Sequence, residues 1–212
     1  MRAVAPIAED SPPPRQAVHI VEDDEQFRLS LQDMFQSLSI EADAYADAED
    51  FFARAPREMA GCVLLDVRLP GVNGIEFQRE LDARGYELPV IFMTAHADVA
   101  TSVNAMKAGA IDFLQKPLRT HELLDAIDAA FAIETGQRKE RAYRRLVRER
   151  AATLTPREVQ VLELVTRGLM NKQVAYELGI SEIMVKLHRG SVMQKMEASS
   201  LAELVRQSGL LD

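Results

Sequence analysis

The stretch Cys62-Val63-Leu64-Leu65-Asp66-Val67-Arg68-Leu69-Pro70-Gly71-Val72-Asn73-Gly74 decides the fold. Four apolar residues in unbroken succession read as a strand buried on both faces. The run stops on a carboxylate, Asp66, and turns through Pro70-Gly71 into a stretch with helical spacing after Gly74. Runs of the same kind flank it at 18–21 (V-H-I-V), 89–93 (P-V-I-F-M) and 111–114 (I-D-F-L), with a weaker one at 40–45 (I-E-A-D-A-Y). Helical stretches separate them. Phe27, Leu31 and Phe35 recur every four residues. Ile75 and Leu81 follow Gly74, Val99, Val103 and Met106 follow Ala97-Asp98, and Leu123, Leu124, Ile127 and Phe131 mark the last helix.

Five short runs alternating with five helices imply an α/β unit, a parallel sheet covered on both sides. Right-handed crossovers leave few topologies, and the expected one is the flavodoxin-like five-stranded order 2-1-3-4-5. From residue 153 the pattern is purely helical. Thr155 is placed as N-cap, Pro156 as first helical residue and Glu158 as the capping-box acid. Val159, Leu162 and Val165 follow on one face, and Gly168 ends the helix. A second helix runs from Asn171 to Leu178 and stops at Gly179. Ser181 caps a third, with Ile183, Val185, Val192 and Met196 turned inward, and a fourth follows at about 199–208. Helix, short Gly-containing turn, helix is a helix-turn-helix pattern. The chain is thus divided into a Pro-rich disordered tail (1–16), an α/β domain (17–133), a connector (134–152) and a four-helix domain (153–212). Gly136 either caps the preceding helix or is tolerated inside a longer one at about 1 kcal/mol.

Charge follows the same division. Residues 18–133 hold 21 acids and 9 bases, residues 134–150 hold 3 and 7, and residues 151–212 hold 7 of each. A net charge of −8 makes the whole chain a poor polyanion binder, but its C-terminal part is not repelled by one and the connector is attracted. The single cysteine, Cys62, excludes an intramolecular disulfide, fits a reducing cytoplasm and reads as a small core residue. No run approaches the roughly 20 apolar residues of a membrane helix, and the N-terminus has no signal-peptide core.

The unusual polar residues all fall at the ends of apolar runs: Glu22-Asp23-Asp24, Asp66, Thr94 and Lys116-Pro117. In an open α/β sheet, ligands sit beyond the carboxyl ends of the strands. Glu22, Asp23 and Asp66 would lie within a few ångströms of one another there, and a hard divalent cation relieves their repulsion. With Mg2+ bound, Asp66 stays ionised and can act as a nucleophile toward a phosphoryl donor. Lys116 supplies further positive charge, and Thr94 offers a hydroxyl to a phosphate oxygen. Asp24 opens the first helix and reads as its N-cap. His96 and the side chain of Arg68 read as solvated loop residues. No histidine sits in a helical setting suited to phosphotransfer, so the donor is another protein.

In the helical part, Asn171 and Lys172 open the second helix, where backbone N–H groups and lysines favour phosphate oxygens. The third helix presents Lys186, Arg189, Gly190 and Met193 opposite Val185, Val192 and Met196. Its width suits a major groove. Gly190 is costly in a helix interior, and close backbone approach to DNA is a reason to keep it. His188 lies near the inner face and fits either packing or a DNA contact.

Residues 17–133 resemble the receiver domain of two-component response regulators, down to the loop from Asp66 to Gly74. The resemblance implies Asp66 as phosphoacceptor, with Glu22, Asp23 and the backbone carbonyl of Arg68 around Mg2+. It implies a cis Lys116–Pro117 bond that brings Lys116 to the phosphate, and a switch in which Thr94 and Phe113 move together. Glu22 stands where aspartate is commoner. Residues 153–212 resemble the LuxR-type helix-turn-helix through L-T-x-R-E, N-K-x-V-A-x-x-L-x-I-S and V-K-x-H-R, with Met184 where threonine is usual. The pairing resembles the NarL/FixJ subfamily. The expectation is a cytoplasmic transcription regulator rather than an enzyme. Its expected partners are a sensor histidine kinase, double-stranded promoter DNA, RNA polymerase and, on phosphorylation, a second copy of itself. The rival is a phosphate relay or sink whose C-terminal helices bind a protein. A dinucleotide-binding enzyme is disfavoured, because no G-x-G-x-x-G follows the first run.

Overall fold

A computed structural model describes residues 14–95, 103, 105–107 and 109–211. Two compact units divide the chain at Gly136/Gln137. In the first, strands β1 (Gln16–Val21), β2 (Ala42–Tyr45), β3 (Ala60–Asp66), β4 (Val90–Thr94) and β5 (Asp112–Gln115) form one parallel sheet of order β2-β1-β3-β4-β5. This is the expected topology. β1 begins at Gln16, the last residue assigned to the tail, and Gln16 pairs with Ala60.

Alternation within the strands explains their unbroken apolar character. Val18, Ile20, Cys62, Leu64, Ile91 and Met93 face one side, and Val21, Val63, Leu65, Val90 and Phe92 face the other. Helix α1 (Glu25–Ser37) and the start of α4 (Thr120–Ala151) cover the first side through Leu31, Phe35, Leu123 and Ile127. Helices α2 (Ala48–Arg54) and α3 (Gly74–Ala83) cover the second through Phe51, Phe77 and Leu81. Burial pushes the Cys62 thiol up to about 12, as befits an inert core residue. At Gly61, φ is +113° and an added Cβ would fall 1.9 Å from the Ala17 carbonyl oxygen, so only glycine lets β3 start against β1. Of the expected fourth apolar stripe, Val99 lies outside the described residues, whereas Val103 and Met106 are about half exposed and Ala105 is the buried residue.

α4 is one helix to Ala151, and Gly136 lies inside it. Its residues from Gln137 belong to the second unit, with α5 (Pro156–Thr166), α6 (Asn171–Leu178), α7 (Glu182–Lys195) and α8 (Leu201–Ser208). Thr155 and Glu158 form the expected capping box, Gly179 ends α6 in the left-handed conformation, and the Ser181 hydroxyl caps α7. Val161, Val165, Val174, Ala175 and Val185 pack together, and Val147 joins Leu162, Val192, Met196 and Leu204 in a second cluster. Three side chains depart from the expected pattern. Val159 is exposed, with Val161 taking its place inside, and Ile183 points outward at 71% exposure because only Val185 of that turn meets the core. Met193 is half-buried against the second cluster instead of facing solvent.

Candidate functional site

Parallel strands bring their carboxyl ends to one rim. Glu22 follows β1, Asp66 ends β3, Thr94 ends β4 and Lys116 follows β5. Glu22, Asp23 and Asp66 each offer an oxygen within 4.8 Å of the others. Glu22 is fully buried, Asp66 is nearly so and Asp23 is exposed, so the cluster opens to solvent on the Asp23 side. The Asp24 carboxylate accepts from the Gln26 and Phe27 amides as N-cap of α1.

One ammonium serves two of these acids. Lys116 Nζ donates to Glu22 Oε2 at 2.6 Å and also to Asp66 Oδ2. It lies 4.4 Å from the centre of the Phe27 ring, a cation–π contact. The Lys116 amide donates to the Thr94 carbonyl at 2.8 Å, which fixes the start of the loop after β5 beside the end of β4. The Lys116–Pro117 bond is cis. Burial pushes the Glu22 carboxyl up, against the pull of Lys116. Burial also draws Lys116 down, but its hydrogen bonds to Asp66 and Glu22 outweigh that and its net shift is upward. The acids therefore hold the lysine charged, while burial works against ionisation of Glu22.

The loop after β3 is fixed by its own backbone. The Arg68 amide donates to Asp66 Oδ1 at 2.7 Å, and Arg68 bridges Asn73. Asn73 caps α3 in a capping box with Glu76. An added Cβ at Gly74 would meet the Asp66 carbonyl at 2.9 Å and Val67 Cα at 3.0 Å, so a side chain there would displace the residue that carries the central carboxylate. Phe113 is half-buried, 6.4 Å from Phe92 ring to ring. His96 lies outside the described residues. Two further residues shape this rim. Arg28 donates to the carbonyls of Glu22 and Asp23 at 2.6 and 3.3 Å, and Phe27 floors the lysine. The spacing of Phe27 signalled only a helix face, and Arg28 was not singled out by the sequence.

On the helical unit, Lys172, Lys186 and Gly190 are exposed, whereas Asn171, His188 and Arg189 are half-buried. Arg189 donates to Asn171 Oδ1 at 3.2 Å, tying α7 to the start of α6. The outer surface of these helices is more apolar than expected: Leu187, Ile183 and Tyr176 are 63%, 71% and 86% exposed. Beneath it, buried Glu158 accepts from Lys195 Nζ at 2.6 Å, from the Ser191 hydroxyl at 2.5 Å and from the Thr155 amide at 2.7 Å. These bonds, the Lys195 and Ser191 contacts foremost, hold its carboxyl down at about 2.

A carboxylate rim on a doubly wound sheet, followed by a helix-turn-helix unit, defines a two-part signalling protein. Residues 18–128 match the response regulator receiver domain, and residues 152–208 match the bacterial regulatory proteins of the luxR family. Nodulation protein W of Bradyrhizobium diazoefficiens is 46% identical over 196 residues, 92% of this chain and 86% of the relative. The transcriptional regulatory protein FixJ of Azorhizobium caulinodans is 41% identical over 191 residues, 90% of each. Among solved structures, the response regulator StyR is 42% identical with a TM-score of 0.79, covering 92% of this chain and 98% of that one. The chain belongs to the transcriptional response regulators of NarL/FixJ type, which join a receiver to a LuxR-type DNA-binding domain. A receiver implies a sensor kinase as partner, and the second domain implies DNA. Among the described residues, no helix is long and apolar enough to cross a membrane.

Proposed function

We propose that Asp66 accepts a phosphoryl group from a sensor histidine kinase and that this modification promotes binding of the helix-turn-helix unit to promoter DNA. The observation that carries the reading is the ammonium of Lys116 held between Glu22 and Asp66 at the sheet rim. An oxygen of Asp66 attacks phosphorus as the donor nitrogen leaves. Lys116, already against that carboxylate, stays within reach of the new negative charge. The Thr94 hydroxyl donates to a phosphate oxygen, and Phe113 moves with it as the switch. The donor set of Glu22, Asp23 and Asp66 is all oxygen and includes an open side, which fits Mg2+. These acids and the Arg68 carbonyl would hold the ion. When bound it supplies the charge that lets crowded carboxylates remain ionised beside an incoming phosphoryl group. The protein is not a turnover enzyme in this scheme; its acyl phosphate hydrolyses slowly.

On the reader, Asn171 and Lys172 contact phosphates, while Lys186, His188, Arg189 and the bare backbone at Gly190 meet the groove. Phosphorylation favours a homodimer of receivers, so that two readers engage paired half-sites. Shifting a population from 1:99 to 99:1 takes about 5.5 kcal/mol, which a doubly charged group and a new subunit contact together supply. The setting is the cytoplasm, and RNA polymerase is a further partner at the promoter. The test is mass spectrometry of the full chain after a small-molecule phosphodonor with Mg2+. One phosphoryl group is expected at Asp66 and none in Asp66→Asn. The variant should keep basal duplex affinity and lose the donor-dependent gain. An equal gain in the variant overturns the mechanism.

A further inference from the structure

The second unit owes its positive charge to a segment outside the helix-turn-helix. Residues 137–150 carry 7 bases and 2 acids, whereas residues 151–212 carry 7 of each. The folded reader therefore brings no net attraction to a polyanion, and the whole excess of +5 comes from the last turns of α4. Five of the seven bases gather on one side of the helix, with Lys139 and Arg150 off it. At about 100° per residue, Arg138, Arg141, Arg144, Arg145 and Arg148 fall within an arc of about 120°. The stripe is roughly 15 Å long at 1.5 Å per residue. Arg144, Arg145 and Arg148 are exposed, Arg138 and Arg141 are half-buried and already partnered, Arg144 is paired with Glu140, and Glu149 borders the stripe.

The packing fixes where the stripe points. Val147, on the same turns, is fully buried against Leu162, Val192, Met196 and Leu204. The stripe is centred about 120° around the helix from it. Arg150 lies off the stripe, bonded to Glu197 and to the Met196 carbonyl at the end of α7. The arginines are thus anchored to the same body as the reading helix, beside its C-terminal end. Such a stripe suits a row of phosphates, because arginine forks match phosphate oxygens and helical rigidity lowers the entropy lost on contact. A length of 15 Å passes about four phosphates of one strand.

We propose that the end of α4 is a second DNA contact: an arginine stripe that grips the phosphate backbone flanking the site read by α7. This deepens the DNA-binding reading above and rests on it. The contact is sequence-independent and supplies the long-range attraction that the reader lacks.

The experiment uses the full chain, with and without phosphodonor, and measures affinity for random and footprinted duplexes between 50 and 200 mM salt. The triple variant Arg141→Gln/Arg145→Gln/Arg148→Gln is compared with Lys186→Gln in the reader and with the charge-preserving triple Arg→Lys. For the glutamine triple, affinity for both duplexes should fall at least about tenfold at the lowest salt. The slope of log K against log salt should flatten by about 2–3, near 0.9 per lost phosphate contact. Sequence preference should be unchanged, and the lysine triple should keep most of the slope. An unaltered slope in the glutamine triple, with the Lys186 variant weakened, sinks the stripe and leaves the reader intact. Tighter binding by the glutamine triple shows that an acidic protein surface occupies the stripe and overturns the proposal. If the unsubstituted chain binds neither duplex, the DNA-binding reading fails and the stripe with it.

Discussion

Two buried glutamates, Glu22 at 1% exposure and Glu158 at 5%, show how the two units use the same chemistry differently. Glu158 has its own lysine, a hydroxyl and the Thr155 amide at its helix's N-cap, and its carboxyl is held down at about 2. Glu22 shares one lysine with Asp66 and stands within 4.8 Å of two other acids, and burial pushes it up. The first is a satisfied structural knot. The second is an incomplete charge balance, one ammonium against three acids, that a cation would finish. A buried carboxylate marks a working site when its neighbours compete for the same counter-charge, not merely when it is buried.

The sharpest way to break this contrast is to remove the shared ammonium. Lys116→Met should cost the receiver about 3 kcal/mol in chelator, since two buried acids lose their partner. Part of that loss should return on adding Mg2+, read as the thermal unfolding midpoint; a midpoint indifferent to Mg2+ would show that the acids do not form a cation site. Glu158→Ala should cost the reader about 2 kcal/mol, the value of hydrogen bonds to a charged group, with no recovery in Mg2+.

Acid separates the two glutamates by sign. A carboxyl held below its ordinary value of 4.5 stabilises the fold fully above that value and loses this contribution as pH falls toward about 2. For Glu22 the folded value is raised, so its ionisation opposes folding as pH climbs past 4.5. Urea midpoints at pH 5 and pH 3 should therefore show a shallower acid loss for the reader in Glu158→Gln and a steeper one for the receiver in Glu22→Gln. The smallest effect belongs to Gly190→Ala. Nothing lies within 4 Å of the added Cβ, so α7 should gain up to about 1 kcal/mol while duplex affinity falls. A gain in both would remove the reason given for a bare backbone there.

Strands β3 and β4 were legible because double-sided burial leaves no polar residue inside the run. The rim acids were legible because each ends such a run. Helix rotation was harder to read. Ile183 lies two residues before Val185 on α7, about 200° around the helix, so with Val185 in the core it points to solvent. The capping role of Glu158 was visible in T-P-R-E, but its bond to Lys195, 37 residues away, was not.

The sequence by itself determined the two-part plan, the strand order and which acids stand at strand ends, since these follow from local periodicity, chain handedness and charge. Only the tertiary structure decided that Lys116 lies between Glu22 and Asp66, across 94 and 50 residues, and that Val147 anchors the arginine-bearing helix to Leu162, Val192, Met196 and Leu204. Those relations depend on packing between elements distant along the chain, where no local pattern records the distance.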